Sequence, residues 1–288
     1  MAWLALALGL VLIAAVLYWQ FVIAEGAYLG RRIVVLLYDW SARSYERIKQ
    51  YDTGDEQWFL GIPLTEALQW LPHPLVLDVA TGTGRLPRAL FRQPGFDGRV
   101  IGLDLSRRML HEAISATAQF SDRLTLIWQD AEDLPFRDDT FDAVTCLEAL
   151  EFMPHPAAVL AEMVRVLRPG GILVTTNRVG RQARLLPGRT FSRQQLEHLL
   201  KSMPLEGIRI RAWQVDYDLV WARKTGTPRG SGIRPLPHIL RCPRCHGPVV
   251  WADNALECPT CDTRYPRAAD GVIEMAHPQA RPPANRRM

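Results

Sequence analysis

Between residues 75 and 177 short apolar runs alternate with longer amphipathic stretches, and this alternation constrains the fold more than any other feature of the chain. The runs are LVLDVA (75–80), RVIGLDL (99–105), LTLIWQ (124–129), FDAVTCL (141–147) and GILVTTN (171–177). Helical patterns fill the gaps, one reaching about Arg92, then Arg107–Gln119 and Ala157–Leu167. Short apolar runs separated by helix-length segments predict parallel strands joined by helical crossovers, a sheet covered on both faces. Ser192, with Gln195 three positions on, predicts a capping box opening a helix to about Lys201. IRIRAWQV (208–215) and YDLVWARK (217–224) follow, close enough to pair as an antiparallel hairpin. The expected fold is α/β, a doubly wound and mostly parallel seven-stranded sheet.

Before the sheet lies a segment of different character. WLALALGLVLIAAVLYWQFVIA, from Trp3 to Ala24, contains one strongly polar residue, Gln20, and no charge. As a helix it would span roughly 30 Å, the thickness of a bilayer's hydrocarbon core. Trp3, Tyr18 and Trp19 lie towards its ends, where amphipathic rings favour the membrane interface. A cleaved signal peptide needs a basic start, a shorter apolar stretch and a small-residue cleavage site. No Lys or Arg precedes this run, so residues 1–25 are expected to be an uncleaved transmembrane anchor. The first cations after it are Arg31, Arg32, Arg43, Arg47 and Lys49, which predict a single-pass membrane protein with its bulk facing the cytoplasm. Residues 31–70 read as helical, interrupted by Gly61 and Pro63, and look like a cover leading into the core of a domain spanning 26–224.

A chain of 288 residues holds one principal core and a satellite. The net charge of +4, from 34 basic and 30 acidic residues, does not by itself imply nucleic-acid binding. TGTPRGSGIRPLP (225–237) reads as a linker, and HPQARPPANRRM (277–288) as a disordered tail. Between them, 238–276 carries four of the five cysteines as two Cys-x-x-Cys pairs: Cys242, Cys245, Cys258 and Cys261. Each turn directs two thiolates at one point, and two turns make a closed tetrahedral site for a structural zinc ion, a zinc ribbon with a hairpin around Asp253-Asn254. This usage fits a reducing compartment. The fifth, Cys146, is expected to lie inside a strand as a small hydrophobe.

The most informative stretch is LDVATGTGRLPRAL, a strand carrying Asp78, a turn with Gly82 and Gly84, and a helix with Pro87 in its first turn. Glycines let the backbone approach a ligand, and a helix N-terminus offers free N–H groups. The third glycine of a G-x-G-x-x-G dinucleotide fingerprint would fall at position 87, which is proline, so pyrophosphate binding is disfavoured. Asp104 ends the second strand about twenty residues beyond the loop, where a carboxylate accepts ribose hydroxyls. The alternative for Asp104 is a helix N-terminal acid beside Ser106.

These motifs, with Gly102-Leu-Asp104-Leu-Ser106, Gln129-Asp130-Ala-Glu-Asp-Leu-Pro135-Phe136, Phe141-Asp142-Ala-Val and Leu167-Arg-Pro-Gly-Gly171, resemble in order those of the type 11 methyltransferase domain, over roughly residues 40–224. Among its relatives the chain is most similar to quinone-biosynthesis C-methyltransferases. The resemblance implies a class I, Rossmann-like fold and S-adenosylmethionine as cofactor. It places Asp78, Ala80, Gly82 and Gly84 at the methionyl part, Asp104 at the ribose, and Asp130 with Ala131 at the adenine amino group, with Leu105 and Met109 packing on the adenine. Residues Ile239–Ala276, including Tyr265-Pro266 and Asp270-Gly271-Val-Ile, are similar to the zinc-ribbon activators that partner tRNA- and protein-methyltransferases. Because ribbon and enzyme share one chain here, that likeness implies a ribbon docked on its own catalytic domain.

Methyl transfer from a sulfonium asks the protein mainly for alignment, and for a general base only if the acceptor holds a proton. The candidates are Glu148, Glu151 and His155, the two acids sharing a face if their segment is helical. No Asn-Pro-Pro-aromatic motif stands there, which argues against base N-methylation of the adenine type. The expected substrate is a small lipophilic acceptor, a quinone or lipid precursor, at the membrane surface. Two alternatives stay open: an RNA or translation-factor methyltransferase with the ribbon as its activator, and a non-catalytic membrane scaffold, against which the intact Asp78, Gly82, Gly84 and Asp104 set argues.

Overall fold

The computed structural model describes residues 2–49, 53–228, 230, 232, 234–276 and 279–280. The strands are β1 (Leu75–Val79), β2 (Arg99–Asp104), β3 (Leu124–Trp128), β4 (Phe141–Cys146), β5 (Leu167–Arg178), β6 (Leu205–Gln214) and β7 (Tyr217–Lys224). Five shorter ones follow: β8 (Val250–Ala252), β9 (Ala255–Cys258), β10 (Thr263–Pro266), β11 (Ile273–Glu274) and β12 (Gln279–Ala280). The main sheet runs β11-β3-β2-β1-β4-β5-β7-β6. From β11 to β5 neighbours are parallel, and β7 enters antiparallel between β5 and β6.

Period-two alternation on strands buried from both sides divides the core in two. Leu75, Leu77 and Val79 of β1 face one cluster with Val159, Leu160 and Met163 of α8 (Pro156–Val166) and Leu196 and Leu200 of α10 (Arg193–Lys201). Val76 faces the other with Leu64 and Leu68 of α5 (Ile62–Leu68) and Leu86 and Leu90 of α6 (Arg85–Phe91). The expected capping box opens α10: the Ser192 hydroxyl accepts the Gln195 N–H at 3.2 Å, and the Ser192 N–H donates to Gln195 Oε1 at 2.9 Å. Cys146 is wholly buried in β4.

The N-terminal helix α1 (Ala2–Tyr18) continues through a π-helical segment to Ile23, long and apolar enough to cross a membrane. None of the side chains of α1 is buried, whereas Gln20, Ala24 and Ala27 are. The packed unit therefore begins near Trp19, inside the segment expected as a free anchor. From there the chain turns back into α2 (Arg31–Ser41), followed by α3 (Tyr45–Lys49) and α4 (Thr53–Glu56).

The sequence predicts seven strands for the main sheet; the eighth, β11, comes from the C-terminal module and pairs with β3 (Ile273 with Ile127, Glu274 with Trp128). The remaining short strands form an antiparallel sheet, β12-β10-β9-β8. Most of the expected tail lies outside the described residues, but Gln279–Ala280 pair with Thr263 and Arg264. The module is fastened: Arg137 N–H donates to Ile239 O at 2.9 Å, Arg241 N–H to Pro135 O at 3.0 Å, and Leu240, Tyr265, Ile273 and Met275 share a core with Leu134 and Phe136.

Candidate active site

Strand order reverses between β1 and β4, and in parallel α/β sheets a crevice opens beyond the carboxyl ends of strands at such a point. A cavity of about 120 Å³ lies there, lined by Ala80, Gly82, Asp104, Leu105, Met109, Asp130, Ala131 and Glu148 among the residues the sequence singled out. Asp78 lines a smaller adjoining cavity beneath the loop with Thr81, Thr83 and Arg85.

The loop is shaped from below. Asp78 Oδ2 accepts the Thr81 hydroxyl and Oδ1 the Thr145 hydroxyl, each at 2.7 Å, and burial pushes its carboxyl up to about 6. Gly82 has φ +54°, and a Cβ there would meet no protein atom within 4 Å, so the backbone is open towards a ligand. Gly84 lines neither cavity; it is the left-handed N-cap of α6, where a Cβ would sit 3.0 Å from Thr117 Cγ2. The half-buried Asp104 carboxylate ties the glycine turn to the start of the next helix: Oδ2 accepts the Gly82 N–H and Oδ1 the Ser106 N–H, both at 2.8 Å. Burial pushes this carboxyl up to about 6 against the pull of those bonds. The structure thus shows Asp104 as an acid at the start of a helix, because α7 (Arg107–Ala116) follows Ser106, whose own side chain caps Met109 N–H. Leu105 and the buried Met109 give an apolar lining beside it.

Asp130 stands at the end of β3 with Ala131. Its Oδ1 accepts the Glu132 N–H at 3.1 Å, and its Oδ2 pairs with Arg31 of α2. Arg31, Val34, Val35 and Tyr38, together with Tyr45 of α3, form a wall of the cavity that site motifs did not indicate. The signal was the i, i+3, i+4, i+7 spacing of the first four on one helix face. Asp39 of the same helix accepts the Ser106 hydroxyl at 2.6 Å, fixing α2 to the start of α7.

The three candidate bases fall in three different places. Glu148 lines the cavity, but its Oε1 accepts from Arg85 Nη1 at 2.6 Å; Arg85 also donates from Nε to Glu56 at 2.5 Å and lies over the Trp213 ring. Its carboxylate therefore balances a buried guanidinium. Glu151 is buried and accepts the Tyr217 hydroxyl at 2.5 Å, with Oε2 lacking a hydrogen-bond partner among the described residues. Burial raises its pKa, and raises that of Tyr217. The expected shared helical face does not form: Glu148 has φ +52°, and only Leu150–Phe152 make a single 3₁₀ turn, so the two carboxylates diverge. His155 lies away from the cavity on the surface; its ring is 74% exposed and its Nδ1 is 3.2 Å from Glu132. The flanking prolines, with Pro156 opening α8, keep it in a loop.

In the ribbon, one sulfur from each of Cys242, Cys245, Cys258 and Cys261 lies within 4.8 Å of the others. Zinc–sulfur bonds of about 2.3 Å place tetrahedral sulfurs at comparable spacing. The Tyr265 hydroxyl is 3.0 Å from Cys242 Sγ and the Thr263 hydroxyl 3.1 Å from Cys261 Sγ, suited to donate to thiolates. The donor set fits zinc.

Residues 77–175 match the family described as "Methyltransferase domain". A demethylmenaquinone methyltransferase from Symbiobacterium thermophilum is 36% identical over 139 residues, 47% of this chain and 55% of its own. A 2-phytyl-1,4-naphtoquinone methyltransferase from Synechococcus elongatus is 40% identical over 109 residues, 36% of this chain and 47% of its own. The chain thus spans about half the length of these curated relatives. A solved chain from the complex between the Haloferax volcanii Trm112 methyltransferase activator and a methyltransferase superposes with TM-score 0.50 at 22% identity, covering 66% of this chain and 98% of that one. Residues 77–175 thus match a methyltransferase domain, and the solved structure shares the fold of the sheet.

Proposed function

We propose that this chain transfers a methyl group from S-adenosylmethionine to a small lipophilic acceptor, a quinone or lipid precursor, at a membrane surface. One observation carries the reading. The cavity at the β1/β4 reversal joins an open glycine turn and the Asp104 carboxylate to a wall built by α2, the helix that follows the membrane-spanning segment. The quinone methyltransferases among its relatives support the substrate class.

When bound, S-adenosylmethionine would supply an electrophilic methyl group on a sulfonium, with a neutral thioether as the leaving group and the acceptor's proton passing to solvent. Everything else falls to the chain. Asp104 would accept the ribose hydroxyls, the Gly82 turn would admit the methionyl part, and Leu105 and Met109 would pack against the adenine. Asp78 holds Thr81 and Thr145 so that the turn keeps its shape. For Asp130 to meet the adenine amino group, the Arg31 side chain, 53% exposed, would have to turn away from it. Glu148 and Arg85 set the far wall as an ion pair, and Glu151 with Tyr217 forms a proton-holding pair behind it. Four cysteines hold a structural zinc, and α1 anchors the protein as a single-pass membrane component with this domain in the cytoplasm.

The contact of the ribbon with β3 favours one second reading, an RNA or translation-factor methyltransferase with a built-in activator. One experiment separates the two. Purified protein in native membranes is incubated with methyl-labelled cofactor and the products are fractionated. Label in the organic extract supports the lipophilic acceptor; label in RNA or protein replaces it with the second reading.

A further inference from the structure

The foot of α1 is bound to a segment distant in sequence, the stretch 180–189 that begins with α9 (Gly180–Ala183). The Trp19 indole N–H donates to Leu185 O at 2.9 Å, and the Tyr28 hydroxyl to Pro187 O at 2.8 Å. Trp19 and Tyr28 stack on each other with centroids 5.1 Å apart. Arg189 donates to Ala27 O at 2.8 Å and lies over the Tyr28 ring, while its other nitrogen donates to Met153 O. If α1 spans a bilayer, the ring pair sits where tryptophan and tyrosine belong, at the headgroup level, and these bonds hold 180–189 at the same depth.

The side chains this segment exposes suit that position. Arg181 and Arg184 point to solvent and make no ion pair among the described residues, and Leu185 is 46% exposed. Across the foot, Leu29 is 50% exposed and Arg32 is likewise exposed, without an ion pair among the described residues. The acids nearby are turned inward or partly covered: Glu25 accepts the Tyr38 hydroxyl at 2.8 Å, and Asp216 lies beside Gly180. Cations beside an apolar side chain, around a spanning helix, make a surface complementary to anionic headgroups over an acyl layer.

We propose that the collar formed by Arg181, Arg184 and Leu185, with Leu29 and Arg32, is a second membrane contact that binds anionic phospholipid headgroups. This rests on the membrane-spanning reading of α1. It also gives the collar a task. Met153 lines the cavity, and Arg189 joins it to the anchor's foot, so seating the collar fixes a cavity wall at the bilayer surface.

The test uses the full chain in nanodiscs of phosphatidylcholine alone or with phosphatidylglycerol, followed by backbone hydrogen exchange. The expected result is slower exchange across 180–189 in the anionic discs. Each arginine adds about fivefold to lipid occupancy, so Arg181→Glu with Arg184→Glu, which removes both cations and adds two anions, lowers it by at least about 25-fold and returns exchange to the neutral-disc rate. A phosphatidylglycerol carrying a headgroup diazirine should crosslink to 180–189 in wild type and not in the double variant. Equal exchange in neutral and anionic discs, or crosslinks unaltered by charge reversal, overturns the proposal. Protection of residues 2–18 is read in the same spectra. Its absence sinks the spanning helix itself, and its presence without a collar effect sinks the collar alone.

Discussion

Asp104→Ala tests the site at its centre, because this carboxylate serves the protein and the ligand together. The substitution removes the acceptor of two backbone N–H groups, Gly82 and Ser106, each at 2.8 Å, and the acceptor proposed for two ribose hydroxyls. Hydrogen bonds to a charged group contribute about 1.5–3 kcal/mol each, so the two ligand bonds amount to about 3–6 kcal/mol, roughly a 10²–10⁴-fold weaker Kd. The protein's own loss is smaller: the Gly82 amide lines the cavity, whereas Ser106 is buried and leaving its N–H unpaired costs about 1–3 kcal/mol, or roughly 2–10 °C in melting temperature. Titration calorimetry with S-adenosylmethionine and a thermal melt read the two effects separately. The pH dependence adds a third reading. Asp104 is held near 6 in the free protein, and a bound sulfonium favours its charged form, so wild-type Kd should rise as pH falls below about 6. A variant Kd within threefold of wild type, or wild-type affinity flat from pH 5 to 7, refutes the assignment of Asp104 to the ribose.

Gly82→Val should abolish cofactor binding, because the side chain would fill open space where a ligand approaches, and should also cost some folding stability, because φ +54° strains a β-branched residue; near-normal calorimetric affinity would mean the turn faces something else. Deleting residues 2–18 should give a protein that stays in solution without detergent and binds cofactor as before, whereas deleting 2–27 also removes buried Ala24 and Ala27 and should lower the melting temperature by several degrees. Acid should stabilise the cofactor-free protein between pH 7 and 5. Asp78, Asp104 and Glu151 bind their protons more tightly folded than unfolded, so stability falls as pH rises through their folded values, and denaturant melts at pH 5 and 7 give the sign.

What was legible in the sequence was whatever has a local signature. The parallel strands were visible because each is an apolar run with β-branched residues between helix-length segments, and the α10 capping box because Ser192 and Gln195 satisfy each other within one turn. The turn after β1 was visible because its left-handed positions call for glycine, at Gly82 and Gly84. The carboxylates after β4 were not, because their directions depend on non-local partners. Arg85 draws Glu148 one way and Tyr217 draws Glu151 the other, and nothing in CLEALEFMPHP encodes either. The α2 wall was half legible: its apolar stripe was present, but a stripe does not say which sheet edge it will cover. Pairing of β11 with β3 rests on two residues and carries no periodicity at all.

If the four cysteines hold zinc as proposed, that pairing would couple the metal to the proposed cofactor site, which Cys258→Ser can show. Some forty residues bury too little apolar surface to fold unaided, so loss of a zinc ligand should unfold the module. Leu134 and Phe136, both fully buried in the shared core, would then lose their cover; exposing two such side chains costs about 3–6 kcal/mol, roughly 10–20 °C in the melt of the methyltransferase domain. The effect should also reach ligand affinity through two short routes. Trp128 O accepts the N–H groups of Met275 and Ala276 at 3.0 and 2.9 Å, while its indole N–H donates to Leu105 O, on the cavity lining, at 2.8 Å. Arg107, three residues after Asp104, is held by Asp270 at 2.7 and 2.8 Å and by Glu274 at 3.3 Å. Cys258→Ser should therefore contain no zinc, melt early and bind S-adenosylmethionine more weakly, by about the tenfold that one misplaced hydrogen bond produces. A variant that has lost its metal yet keeps both melting temperature and affinity would show the ribbon to be a passenger, and a wild type purified without zinc would remove the metal from the account.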